Sequence, residues 1–143
     1  MKCLLIIMVL ISSTVDADTN TLDSKELNCL VRNAFFEANL EGNIGMLLVT
    51  NVVFNRTQDR NVCATIFAKN QFSWTSGVKT KKIPVNIYND IKSTIAKFSK
   101  HRRFIPRKFI NATHYHAQSE HPAWASRLKK LGVYKNHIFY QEG

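Results

Sequence analysis

Acidic residues are scarce in this chain. Ten Asp and Glu stand against twenty Lys and Arg, which leaves a net charge of +10 and a pI near 9.8. So few acids leave few candidates for carboxylate chemistry, and so basic a surface excludes cationic partners and favours polyanions. Long apolar runs are also lacking. The longest, Cys3 to Ile11, holds nine residues, against the roughly 20 that a membrane-spanning helix needs. No internal repeat, low-complexity tract or linker interrupts the chain, so a repeat array or a string of domains is excluded. What is there is 143 residues with a 45% hydrophobic fraction, enough for one domain with a real core and too apolar for wholesale disorder.

The N-terminus reads as an export signal. Lys2 precedes the apolar run, Ser12-Ser13-Thr14 follows it, and Val15-Asp16-Ala17 offers a cleavage site before Asp18. Residues 1–17 are therefore expected to be a signal peptide and 18–143 the working domain, exported to the periplasm or the medium. Loss of Lys2 and Asp16 together leaves the mature charge at +10. Two cysteines remain, Cys29 and Cys63. In an exported chain this even pair suggests a disulfide, with two buried thiols as the alternative.

Hydrophobic spacing predicts the elements. Asp23 as N-cap with Glu26 three residues on opens a helix whose stripe is Leu27, Leu30, Val31, Ala34, Phe35 and Ala38. The chain then turns through Asn39–Asn43. A second helix, Ile44 to Arg56, is apolar nearly all round and should be central; Asn51 and Asn55 share one face of it. Asn61–Ala68 predicts a short helix, Gln71–Trp74 a strand or loop, Thr75–Pro84 a basic surface loop and Val85–Lys100 a further helix. The segment His137–Tyr140 is short and β-like. The fold class expected is α+β, mainly helical.

Glu37 stands apart from the other acids. It lies near the end of the first helix, beside the apolar stripe and next to Phe35-Phe36. Apolar surroundings disfavour the charged form of a carboxyl group and keep it protonated to higher pH. That is what a general acid needs in order to protonate a glycosidic oxygen.

The run Cys29–Ala38, with Glu41, Gly45 and Val52-Val53-Phe54-Asn55-Arg56, resembles the SleB/CwlJ-type cell wall hydrolases, the spore-cortex-lytic-enzyme-like catalytic domains. The likeness continues in order through Val62-Cys63, Gln71-Phe72-Ser73-Trp74, Ala112–Ala117, Pro122-Ala123-Trp124-Ala125 and His137–Tyr140. The resemblance implies a single lysozyme- or lytic-transglycosylase-like domain with the Glu of a Glu-Ala pair, here Glu37, as the catalytic acid. It further implies cleavage of peptidoglycan between N-acetylmuramic acid and N-acetylglucosamine, with a 1,6-anhydro end when the sugar's own hydroxyl attacks. Gln71, Phe72, Ser73, Tyr115, Asn55 and His116 would then contact substrate, Trp74 would stack on a sugar or pack in the core, and Trp124 would be core. Where members have Arg-Gly-Glu after the Glu-Ala pair, this chain has Asn39-Leu40-Glu41, so its turn must be built differently, around Gly42. Glu41 would steady that turn or orient a partner.

Two rival readings follow from other residues. His114 and His116 share a face of a strand, and with His137 they would make a three-nitrogen zinc site suited to an amidase that cuts the muramic acid–alanine bond. Alternatively, the basic stretches Lys79–Lys82 and Lys100–Lys108 would serve a non-catalytic binder of nucleic acid or envelope polymer. Few aromatics interleave with them, which argues against stacked bases and for anionic wall polymers as partners. The reading adopted is a monomeric peptidoglycan-cleaving enzyme without an organic cofactor, fitted to wall remodelling or to lysis by a phage.

Overall fold

The computed structural model describes residues 22–57, 61–68, 71–75 and 82–143, without the side chain of Ser73. The expected signal segment 1–17 and most of the Thr75–Pro84 loop lie outside the described residues, as does the side chain of Ser73.

Four α-helices carry the core: α1 (Ser24–Ala38), α2 (Gly42–Arg56), α3 (Val62–Ile66) and α4 (Val85–His101). Asp23 caps α1 by accepting from the Glu26 backbone N–H at 2.6 Å, as its spacing predicted. Helix α2 is buried on nearly every side, with Leu48, Val49, Val52 and Val53 fully covered. It packs against α1, α3 and α4. A left-handed Arg102 ends α4, its backbone N–H bonded to Phe98 O at 2.7 Å.

Cys29 and Cys63 are disulfide-bonded with their Cα atoms 5.5 Å apart, closing a separation of 34 residues between α1 and α3. Such a loop contributes about 3–4 kcal/mol in the chain-entropy account. Asn61 caps α3 through the Ala64 N–H at 2.7 Å, and Glu26 of α1 accepts from the Val62 N–H at 3.2 Å. Helix α1 is thus tied to α3 by a covalent bond and by a shared cap.

A three-stranded antiparallel sheet closes the fold, in the order β1 (His114–Ala117), β3 (His137–Gln141), β2 (Lys129–Tyr134). Tyr115 pairs with Phe139 and Ala117 with His137, while β2 carries an irregularity between Lys130 and Gly132. Gly132 sits at φ 147°, a backbone few side chains tolerate. Strand β2 had no counterpart in the sequence reading because this irregularity breaks the period of two. The Gln71–Trp74 segment is likewise neither strand nor simple loop: Ser73–Thr75 forms a 3-10 turn.

The two α2 amides join the halves. Asn51 Nδ2 donates to Phe109 O at 3.2 Å and Ile110 O at 3.0 Å. One turn on, Asn55 Nδ2 donates to Ile110 O at 2.8 Å and Ala112 O at 2.7 Å. Arg102 Nη2 donates to Asn55 Oδ1 at 3.0 Å, so the Asn55 amide is occupied at both ends. These clips hold the backbone that leads into β1, and β1 carries the residue that meets Glu37.

Candidate active site

The first helix ends where the sheet begins, and a cavity of about 510 Å³ opens at that seam. Its volume lies within the range of small-ligand sites. Helix α1 contributes Phe36 and Glu37, and the segment after α3 contributes Gln71 and Phe72. Arg56 lines it from the end of α2, His114, Tyr115, His116 and Ala117 from β1, and His137 from β3. Glu120 and Trp124 complete it from the connection that follows β1.

Glu37 is half-buried, one turn from the apolar stripe that seats α1. Burial pushes its carboxyl above the ordinary glutamate range; the Tyr115 hydroxyl and nearby His137 pull it down, and Glu120 raises it slightly further. Tyr115 Oη donates to Glu37 Oε2 at 2.8 Å. The same burial, reinforced by the Glu37 carboxylate, pushes the Tyr115 phenol well above its usual range, so it stays a donor. With Oε2 occupied, Oε1 is the oxygen left to carry a proton toward the cavity.

Tyr115 is locked in place. Its ring packs against Phe72, Phe139 and His137 at centroid distances of 6.4, 5.6 and 5.1 Å. Phe72 is only 6% exposed, so it supports Tyr115 and is not a free platform for a sugar. Trp74 does not line the cavity. Its Nε1–H donates to the buried Asn33 Oδ1 at 2.9 Å and its ring lies 5.1 Å from Phe36, which pins the Gln71–Thr75 segment to α1. Trp124, expected in the core, instead forms a cavity wall beside His114, His116 and Tyr140 at 5.3, 5.6 and 5.5 Å.

Asn55 is the candidate contact that the cavity does not include. Its amide is committed to the Ile110 and Ala112 carbonyls and to Arg102, so it acts as a clip under β1. Ser73 lies outside the described side chains. Gln71, Phe72, Tyr115 and His116 do line the cavity.

The three histidines do not form a ligand set. His114 and His116 share a face of β1, but that face meets Trp124. His116 Nδ1 lies 2.8 Å from the Ala117 carbonyl, which only accepts, so Nδ1 carries the proton and Nε2 accepts from the Tyr140 hydroxyl at 2.9 Å. Both nitrogens are spent. Burial, then Arg56, lowers the His114 pKa, with Glu142 opposing. Among the described residues no three His, Cys, Asp or Glu side chains come together as a metal site.

Glu41 is buried, and its Oε1 lies 2.8 Å from His137 Nδ1. The approach is oblique: Nδ1 makes no directed hydrogen bond there, so the two groups are held together by their positions in the fold. The Asn136 backbone N–H donates to the same oxygen at 3.2 Å, and Lys135 Nζ donates to the Glu41 carbonyl at 2.7 Å. The turn is indeed built around Gly42, which takes φ 71° after a 3-10 turn at Asn39–Glu41.

A carboxyl group with a raised pKa in a cavity of about 510 Å³, at a helix end against a small sheet, is the geometry on which comparison with known proteins bears. A family model described as Cell Wall Hydrolase matches residues 40–140. The chain belongs to the cell wall hydrolase family. It is accordingly an enzyme that acts on peptidoglycan. The matched stretch begins just after Glu37 and includes Glu41, Tyr115 and His137. The catalytic domain of the germination-specific lytic transglycosylase SleB from Bacillus anthracis has a similar fold, with TM-score 0.65 and 16% identity over 85% of this chain and 98% of that one. Among curated proteins nothing matches.

Proposed function

We propose that this cell wall hydrolase cuts the glycan strand between N-acetylmuramic acid and N-acetylglucosamine, with Glu37 as its acid, in the manner of a lytic transglycosylase. The observation that carries this is the Glu37 carboxyl, whose pKa burial raises above the ordinary glutamate range and whose Oε2 is fixed by Tyr115 at 2.8 Å. Glu37 Oε1 gives its proton to the glycosidic oxygen, the bond from C1 to that oxygen breaks, and the electron pair leaves with the departing sugar. The carboxylate that remains faces a C1 carrying positive charge, and Tyr115 steadies it with a charge-assisted hydrogen bond. Attack on C1 by the sugar's own 6-hydroxyl leaves an anhydro end; attack by water leaves a reducing end.

The proposal extends to the rest of the protein's setting. The basic charge of +10 suits retention on anionic envelope polymers, which salt would weaken, and residues 1–17 suit export. Digestion of purified peptidoglycan followed by mass spectrometry tests the reaction: anhydromuropeptides support it, and free stem peptides alone refute it. Glu37→Gln keeps the shape and removes the proton; wild-type cleavage by that variant would sink the mechanism.

A further inference from the structure

The site contains a buried carboxyl group that its stability does not account for. Glu41 is 3% exposed, and a buried carboxylate costs several kcal/mol unless well paired. Its Oε2 has no hydrogen-bond partner. A glutamine could accept from the Asn136 N–H equally well without bringing a charge indoors. Space has nevertheless been made for it, because a Cβ on Gly45 would run into the Glu41 Cβ. The one side chain at ion-pair distance from Glu41 among the described residues is His137, with Nδ1 2.8 Å from Oε1.

His137 is itself 8% exposed, and it lines the cavity. Its ring stands edge-on to Tyr115, 5.1 Å between centroids, and Tyr115 holds Glu37. Nδ1 lies beside the Glu41 carboxylate at 2.8 Å without a directed hydrogen bond, so the carboxylate acts on the ring by proximity, and a proton kept on Nδ1 leaves Nε2 as the lone-pair nitrogen. A buried carboxylate that fixes the tautomer and aim of an imidazole is a known way of orienting a proton acceptor. Glu120 also lines the cavity, but its side chain is exposed and no contact to it among the described residues fixes its aim.

We propose that His137 is the second catalytic group, its Nε2 accepting the proton of the hydroxyl that attacks C1, with Glu41 as the positioning residue behind it. The inference rests on the glycan-cleaving reading above. The steps balance. Glu37 gives one proton to the leaving oxygen as the bond to C1 breaks. The attacking oxygen then bonds to C1, and its proton passes to His137 Nε2, where the imidazolium is paired with the Glu41 carboxylate. That proton goes to solvent and Glu37 regains one from solvent, which resets the site.

The test uses the full chain, with peptidoglycan digestion followed by release of soluble fragments. In His137→Asn the Asn Nδ2 takes the place of Nδ1 beside Glu41 and nothing replaces Nε2. A general base contributes about 100-fold or more, so kcat should fall by at least about 100-fold while KM changes by less than about threefold. A merely structural histidine would move KM and thermal midpoint and spare kcat in the folded fraction. His137→Gln reaches the cavity with an amide oxygen that cannot take a proton, and it should lose kcat to the same degree. Should His137→Asn fail to fold, Glu41→Gln, which changes charge and not shape, carries the test, with about a tenfold fall in kcat expected. Wild-type kcat in the folded His137 variants, or in Glu41→Gln, overturns the inference, as does loss of kcat in Glu120→Gln with His137→Asn intact. If wild type releases no glycan fragments, the glycan reading itself fails. If wild type cleaves, Glu37→Gln is dead and His137→Asn is not impaired, only the role given to His137 fails.

Discussion

Gly45→Ala offers a sharp test of how the site is assembled, because two effects of opposite sign meet at one atom. Gly45 lies inside α2, where replacing glycine with alanine ordinarily stabilises by about 1 kcal/mol. Here the new Cβ would fall on the Glu41 Cβ, with Oε2 at 3.3 Å. Glu41 cannot yield freely. Its carbonyl is held by Lys135 Nζ at 2.7 Å, and its Oε1 by the Asn136 N–H at 3.2 Å and by His137 at 2.8 Å. Overpacking of this kind costs about 1–3 kcal/mol. Ejecting the carboxylate would strand the Asn136 N–H and His137 at a further 1–3 kcal/mol or so. The helix gain is outweighed, and the net loss should be about 1–5 kcal/mol. For a chain of this size each kcal/mol lowers the thermal midpoint by roughly 3–5 °C. Thermal unfolding followed by circular dichroism, with the disulfide intact, measures it. A midpoint equal to or above that of the wild type would show that the Gly45–Glu41 contact is not as described.

Three further variants test other joints of the structure. Tyr115→Phe keeps the ring packing and deletes the hydroxyl that favours the Glu37 carboxylate. The Glu37 pKa should rise further, so the alkaline limb of the pH–activity profile moves to higher pH while activity at the optimum falls about tenfold, the worth of one charge-assisted bond; a limb that stays or moves down contradicts the assignment. Glu37→Gln should raise the midpoint at neutral pH. The folded pKa of Glu37 lies above its unfolded value, so the stability it contributes is complete below the ordinary carboxylate range and lost as pH rises through the folded pKa. Glutamine escapes that loss, and the advantage should close in acid; an advantage that persists in acid refutes the cause given. Asn55→Ala removes two donated bonds and one of the acceptors of Arg102, which keeps the Asn51 carbonyl at 3.3 Å. Unfolding in urea should show a loss of about 2–4 kcal/mol, with KM unaltered in the folded enzyme, whereas a raised KM would return Asn55 to the substrate.

Local features of the sequence carried the helical half of this fold. The 3.6-residue stripe on α1, the all-round apolarity of α2 and the Asp23 cap act over a few residues, and each is visible in the structure where its spacing put it. Tertiary choices were not visible in the same way. Asn55 sits on the face of α2 that its i, i+4 partner Asn51 shares, but whether that face meets a sugar or a backbone depends on the path of residues 109–112. The packing choice left open for Trp74, and the place of Trp124 at the cavity and not in the core, were hidden for the same reason. Composition gives two similar rings, and only the buried acceptor Asn33 draws one of them inward.

The second group of the site was hidden by sequence distance and by a charge argument that runs differently in water and in a core. Read along the chain, Glu41 stands four residues after Glu37 and looks like a turn residue that competes with it for protons. In the fold the 3-10 turn carries Glu41 into the core, where it meets His137 and does not line the cavity that Glu37 shares with Glu120. Separation of the two acids into different environments is what lets burial raise the pKa of one while the other serves a histidine. That separation depends on Gly42 for the turn and on Gly45 for the space. With only five glycines in the chain, the presence of two within one turn of α2 is the sequence trace of the buried carboxylate. A chain that needed only a loop at this point would have had no use for the second glycine inside the helix.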